Sequence, residues 1–138
     1  MIEQTLLIIK PNSVMDKNVG NILKSIEDTG FDIVILAMFK MTADFAETFY
    51  CAHKRKHFFS HLVKFMTTER CIAAVLEKDN AIEDLRLLAG DTDPNVAKPG
   101  TLRQLYGLDV TRNAVHSSDS PQNAVREINL ISNYLKNI

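Results

Sequence analysis

The sequence predicts an α+β fold: a ferredoxin-like βαββαβ layout with a four-stranded antiparallel sheet, an inserted helical hairpin and a long loop before the last strand. Three observations carry this expectation. Apolar runs of strand length occur at Thr5–Ile9, Phe31–Phe39 and Cys71–Leu76, bounded by turn-forming residues as strands are. Helix-spaced segments separate them, one between the first two runs and a short pair between the second and third. From Gly90 to Val115 the periodicity is lost, and a short run at Ala114–Ser117 follows it. A chain of 138 residues is one domain, residues 1–138, large enough to bury a core without staples.

Taken in order, Thr5–Ile9 is a buried strand that ends at Lys10-Pro11, because proline cannot continue a ladder. Val19, Ile22, Leu23 and Ile26 line one face of a helix that Gly30 stops. After the second strand, Ala46, Phe49 and Tyr50 mark one short helix, and Phe58, Leu62, Phe65 and Met66 mark another. Beyond the third strand, Asn80 is expected to cap a helix through Ile82, Leu85 and Ala89, with Glu83 reciprocating and Gly90 past the end. Ser120-Pro121 opens a last helix through Ala124, Ile128 and Ile131. The stretch between Gly90 and Val115 holds Pro94, Pro99 and three glycines. A segment this long without pattern inside a small domain is typically functional or disordered.

Composition narrows the function. Hydrophobic residues make up 46% and charged residues 24%, values that exclude a disordered chain. The net charge of −1 argues against a protein built mainly to neutralise nucleic acid or anionic lipid. Cys51 and Cys71 make no disulfide framework and lack metal-ligand spacing. No apolar run approaches the roughly 20 residues of a membrane span, and Leu6–Ile9 is too short for a signal peptide. A cytoplasmic location with no membrane partner is the expectation.

The common phosphate loops GxxxxGK[ST] and GxGxxG are missing. His53, His57 and His61 are spaced by four, as zinc ligands on one helix would be. The run Lys54-Arg55-Lys56 between the first two marks an expected break between short helices, so they are read as no metal site, and the run itself as a solvated turn. His116 is different. It ends an apolar strand just before a helix N-terminus, with Ser118 and Ser120 beside it and Glu127 on the helix that follows. A carboxylate folded back onto one ring nitrogen would leave the other free as a nucleophile.

The octapeptide Asn113-Ala114-Val115-His116-Ser117-Ser118-Asp119-Ser120 resembles the signature of nucleoside diphosphate kinases around their phosphorylated histidine. The likeness extends over nearly the whole chain. Ile8-Ile9-Lys10-Pro11 resembles the family's first strand and lysine, and Tyr50 with His57-Phe58-Phe59 its helical hairpin. The segments from Arg86 to Pro94 and from Lys98 to Arg103 resemble its phosphate-binding stretch and protruding loop.

The resemblance implies a ping-pong reaction in which His116 takes the γ-phosphoryl of a nucleoside triphosphate and passes it to a nucleoside diphosphate. By matching positions, Arg86, Thr92 and Arg103 would hold phosphates, and Lys10 and Asn113 the ribose end and the phosphoryl path. Phe58 and Val110 would sandwich the base with little regard to its identity. Tyr50 would lie near the histidine, and Ser118 and Glu127 would position it. Mg²⁺ would arrive bridging phosphate oxygens, with no protein cage of its own. Relatives are even-numbered homo-oligomers, so the same is expected here.

Ser117 stands where the family commonly has glycine, Ser13 where it has a small Gly or Ala, and His57 where it has proline. Glu69-Arg70 replaces a small Ser-Gly-Pro turn. These departures remove no residue assigned to catalysis and bear on rate rather than on reaction. Two rival readings are a relative that binds nucleotide without transferring phosphate and a nucleic-acid-binding ferredoxin-like domain. The intact His116 motif opposes the first, and the balanced charge makes nucleic acid an unfavoured partner.

Overall fold

Leu6, Leu7, Ile8 and Ile9 are all fully buried, which a strand achieves only when both faces of its sheet are covered. In the computed structural model, which describes residues 1–137, that strand is β1 (Ile2–Ile9). Two helices follow it, α1 (Pro11–Met15) and α2 (Val19–Asp28), before β2 (Asp32–Phe39). The inserted hairpin is α3 (Ala43–Phe49), a 3₁₀ turn at Cys51–His53, and α4 (Phe59–Met66). Then come β3 (Cys71–Asp79), α5 (Ala81–Ala89), α6 (Leu102–Tyr106), β4 (Val115–Ser117) and α7 (Pro121–Lys136).

The sheet order is β2-β3-β1-β4 with every neighbouring pair antiparallel, the expected ferredoxin-like arrangement. A ferredoxin-like layout is expected to carry its helices on one face of the sheet; here helices cover both faces. Leu6, Ile8, Ala73 and Val75 pack under the hairpin and α7, against Phe49, Leu62, Met66 and Ile131. Leu7, Ile9, Ile72, Ala74 and Leu76 pack on the opposite face with Ile22 and Ile26 of α2, Leu85 of α5 and Leu102 of α6. The second layer exists because the continuous apolar runs of β1 and β3 lack the polar alternation of a strand with one wet face.

Three local expectations also change. Asn80 does not cap α5: it sits in the left-handed region at φ 57°, and its side chain makes no cap bond. The orphan amide of Ile82 donates instead to Glu3 Oε1, 3.1 Å away, so a carboxylate from β1 closes the helix end. Helix α1 was hidden behind Lys10-Pro11, although proline is favoured at a helix's first position. Helix α6 emerges inside the irregular stretch, where Thr101 caps it by accepting from the Gln104 amide. The Ser120-Pro121 start of α7 is as expected, with Ser120 Oγ accepting from the Asn123 amide at 3.2 Å.

Candidate active site

β4 is three residues long and is placed by pairing of Ile8 with His116 and Leu7 with Ser117. The turn entering it is strained: Ala114 has φ 78°, unusual for a residue with a Cβ. Three bonds hold that conformation, since the Lys10 amide donates to Ala114 O at 2.8 Å and Asn113 Nδ2 donates to Thr92 O and Val110 O, each at 3.1 Å. The end of β1, the irregular stretch and the start of β4 are thereby tied together.

His116 projects from this strand toward α3 and α7. Its Nε2 lies 2.9 Å from Glu127 Oε1, and the same oxygen accepts from Ser118 Oγ at 2.7 Å. Ser118 Oγ accepts in turn from the Leu6 amide at 3.3 Å, so the relay is anchored to β1. Glu127 is buried, being only 6% exposed, which excludes a solvated helix charge. A carboxylate accepts only, so Nε2 carries the proton and Nδ1 keeps its lone pair. The edges of Phe49 and Tyr50 hold the ring at centroid distances of 5.2 and 6.1 Å. Phe49 was not among the expected site residues, although its helical spacing had marked it as core.

His116 opens into a cavity of about 690 Å³, a size suited to a drug- or nucleotide-sized ligand. Of the expected residues, Lys10, Tyr50, Phe58, Arg86, Thr92, Arg103, Val110 and Asn113 all line it. Glu127 and Ser118 do not; they stand behind the histidine. Lys10 is buried, and its Nζ donates to Thr111 O at 3.3 Å. Burial, with Arg103 nearby, lowers its pKa from 10.5 to about 7. Arg103 is pinned by two backbone carbonyls, Gly90 O and Val115 O, each 2.9 Å away, while its Nε is buried without a partner among the described residues. Gly90 itself sits at φ 88° close against Thr101, where an added Cβ would fall 2.5 Å from Thr101 Oγ1. Arg86, in the last turn of α5, donates to Asp119 O at 3.1 Å. The Tyr50 hydroxyl is buried and unpartnered among the described residues, and burial pushes its pKa upward.

The chain also places His53, His57, Leu62, Asp91 and Ser117 in the cavity wall. His53 and His57 are expected only to form no metal site; the place of His57 directly before Phe58 is the signal that it shares that wall. Burial, then the charges of Lys56 and His116, lower the His53 pKa. The site is thus a basic cleft with one oriented imidazole, a phenyl ring in its wall and two guanidiniums, suited to a polyanion with a flat apolar group.

Comparison with known proteins agrees with that chemistry. The family model described as nucleoside diphosphate kinase matches residues 3–134. A nucleoside diphosphate kinase of Histophilus somni (strain 2336) is 46% identical over 127 residues, covering 92% of this chain and 90% of its own. One from Glaesserella parasuis is 47% identical over 128 residues and covers 93% of each chain. Among solved structures, the Aquifex aeolicus nucleoside diphosphate kinase superposes with a TM-score of 0.92 at 40% identity, covering 95% of both chains. A Halobacterium salinarum enzyme in complex with CDP gives 0.91 at 34% identity, covering 94% of this chain and 87% of its own. With residues 3–134 matched and identities above 40%, this chain belongs to the nucleoside diphosphate kinase family.

Proposed function

We propose that this protein transfers the γ-phosphoryl group between nucleoside tri- and diphosphates by a ping-pong route through His116. The observation that carries the reading is the 2.9 Å contact between His116 Nε2 and buried Glu127, which leaves Nδ1 as the nucleophile in a basic cavity. Nδ1 attacks the γ-phosphorus in line; the Nδ1–P bond forms as the P–O bond to the β-phosphate breaks, and the diphosphate leaves with those electrons. The ring gains positive charge, which the Glu127 carboxylate offsets through Nε2–H. A second diphosphate then attacks the phosphohistidine in the reverse sense.

Arg103, fixed by Gly90 O and Val115 O, and Arg86, beside Asp119, bind phosphate oxygens, with Thr92 beside them. Lys10 and Asn113 hold the ribose end and the phosphoryl path. Phe58 and Val110 grip the base from two sides; the CDP complex of the halobacterial relative supports a site that accepts a pyrimidine. Among the described residues no group of three His, Cys, Asp or Glu is placed to hold a metal ion. Mg²⁺ would be carried in with the nucleotide and would offset the charge of its phosphates, beside Arg86, Arg103 and Thr92.

An even-numbered homo-oligomer in the cytoplasm belongs to the same proposal. The outer strand β2 leaves Val34, Leu36 and Met38 about half exposed, an apolar edge that a second copy would cover. No helix among the described residues is long and apolar enough to cross a membrane.

Incubation with γ-labelled ATP and no acceptor tests the mechanism. Label moves onto the protein, survives alkali, is lost in acid, and is removed by any added nucleoside diphosphate. A sequential mechanism with no labelled protein would overturn it.

A further inference from the structure

We propose that the Ser117 hydroxyl is a further catalytic group, donating a hydrogen bond to the phosphoryl group as it moves to and from His116. This rests on the phosphotransfer reading above and extends it to a side chain that neither the Glu127 relay nor the arginines involve.

Strand register sets the geometry. His116 pairs with Ile8, whose side chain packs under the hairpin and α7; Ser117 pairs with Leu7, whose side chain packs on the α2–α5 face. The two neighbours therefore leave β4 on opposite faces. Both nevertheless line the same cavity. This is possible because β4 is the outermost strand, with no further strand to separate its two faces.

The two adjacent serines have different surroundings. Ser118 is fully buried and committed, accepting from the Leu6 amide and donating to Glu127. Ser117 is half-buried and forms part of the cavity wall, and its Oγ makes no hydrogen bond among the described residues. Its hydroxyl is thus free to rotate toward a ligand. The side it faces carries Arg86, whose Nη1 donates to Asp119 O, two residues beyond Ser117. A phosphoryl group held by Arg86 and attacked by His116 Nδ1 would sit in the cavity whose wall His116 and Ser117 share, at the edge of β4.

During transfer, negative charge spreads over the three equatorial phosphoryl oxygens. A hydroxyl that turns toward those oxygens donates to the charge as it develops. No proton is transferred: the Nδ1–P bond forms, the P–O bond breaks, and Ser117 remains a hydroxyl throughout.

Rapid-quench single turnovers with γ-labelled ATP, followed by chase with ADP, test this on wild type, Ser117→Ala, Ser117→Gly and Ser117→Thr. The Ala and Gly variants should slow both half-reactions about tenfold, the effect of losing one hydrogen bond to a charged group. ADP affinity should stay within about twofold, and threonine, which restores the hydroxyl, should recover most of the rate. Alanine at the wild-type rate would overturn the proposal, as would threonine as slow as alanine, because either result removes the hydroxyl from the reaction. Gly supplies the same comparison if Ala does not fold. End-point labelling separates the two hypotheses: labelled wild type with an indifferent Ser117 overturns only this role, whereas unlabelled wild type overturns the phosphohistidine as well.

Discussion

Replacing Glu127 by glutamine tests how much of the reaction depends on orienting His116. Glutamine matches the carboxylate in size, so the buried site can keep its packing and the fold should survive. Glu127 Oε1 now accepts from both His116 Nε2 and Ser118 Oγ, at 2.9 and 2.7 Å. The amide oxygen can still take that place, but the bond becomes neutral. Hydrogen bonds to charged groups contribute about 1.5–3 kcal/mol and neutral ones about 0.5–1.5. The ring positive charge that develops on phosphorylation therefore loses about 1–1.5 kcal/mol of support, roughly tenfold in rate. A flipped amide costs more, since its N–H₂ faces Nε2 and favours the tautomer with the proton on Nδ1, which is no nucleophile. The expected result is a fall in kcat/KM of at least about tenfold. Nucleotide Kd should change little, because Arg86, Arg103 and Thr92, not Glu127, face the cavity. Glu127→Ala removes both functions and should approach about 10²-fold, the scale of a nucleophile displaced by about 1 Å. Steady-state kinetics and calorimetric Kd on the same variants decide it. An unchanged rate in Glu127→Gln would refute the orientation argument.

Three further outcomes follow from the geometry. Lys10, with a pKa lowered to about 7, is charged at pH 6 and mostly neutral at pH 8.5, while arriving phosphates favour its charged form; nucleotide binding should take up a proton above about pH 7 and weaken with rising pH, and Lys10→Met should flatten that slope in calorimetry run in buffers of different ionisation enthalpy. A wall of Phe58 and Val110 offers a π-face and an apolar face, so purine and pyrimidine diphosphates should differ by no more than about ten- to a hundredfold in kcat/KM, and Phe58→Ala should raise KM for all of them together, since stacking contributes about 1–3 kcal/mol whatever the base. Gly90→Ala forces a Cβ to within 2.5 Å of Thr101 Oγ1 at φ 88°; thermal unfolding should show a loss of about 2 kcal/mol or more, with a fall in kcat/KM as Gly90 O releases Arg103.

Much of this was legible in the residues because it rests on local pattern. The central strands appeared as continuous apolar runs, and α7 appeared through Ser120-Pro121, whose cap depends only on neighbours in sequence. The catalytic candidates were found as a motif, and the cavity gathers eight of the ten side chains named around His116, with Glu127 and Ser118 behind it. What was not legible depends on distant partners. Asn80 has the right residue type for a cap, yet Glu3, 79 positions away from Ile82, does the work, and no spacing rule joins them. The second helical layer was implicit in the unbroken apolar character of β1, but no spacing rule says that the inserted hairpin packs on Leu6 and Ile8.

The irregular stretch shows why pattern alone could not locate α6 or explain the turn into β4. Its ordered conformation is set by a few bonds between distant residues rather than by periodicity: Arg103 to Gly90 O and Val115 O, Asn113 to Thr92 O, and Lys10 N to Ala114 O, with the local bond from Asn113 to Val110 O beside them. These bonds also hold Ala114 at φ 78°, a conformation that its own residue type disfavours. The same contacts bring Lys10, Arg103 and Asn113 to the cavity beside His116. Strain at Ala114 and the placement of the proposed phosphate-binding groups therefore have one physical origin. A substitution that relaxes one, such as Ala114→Gly, loosens the constraint on the other, which is why the segment with the weakest sequence pattern carries so much of the site.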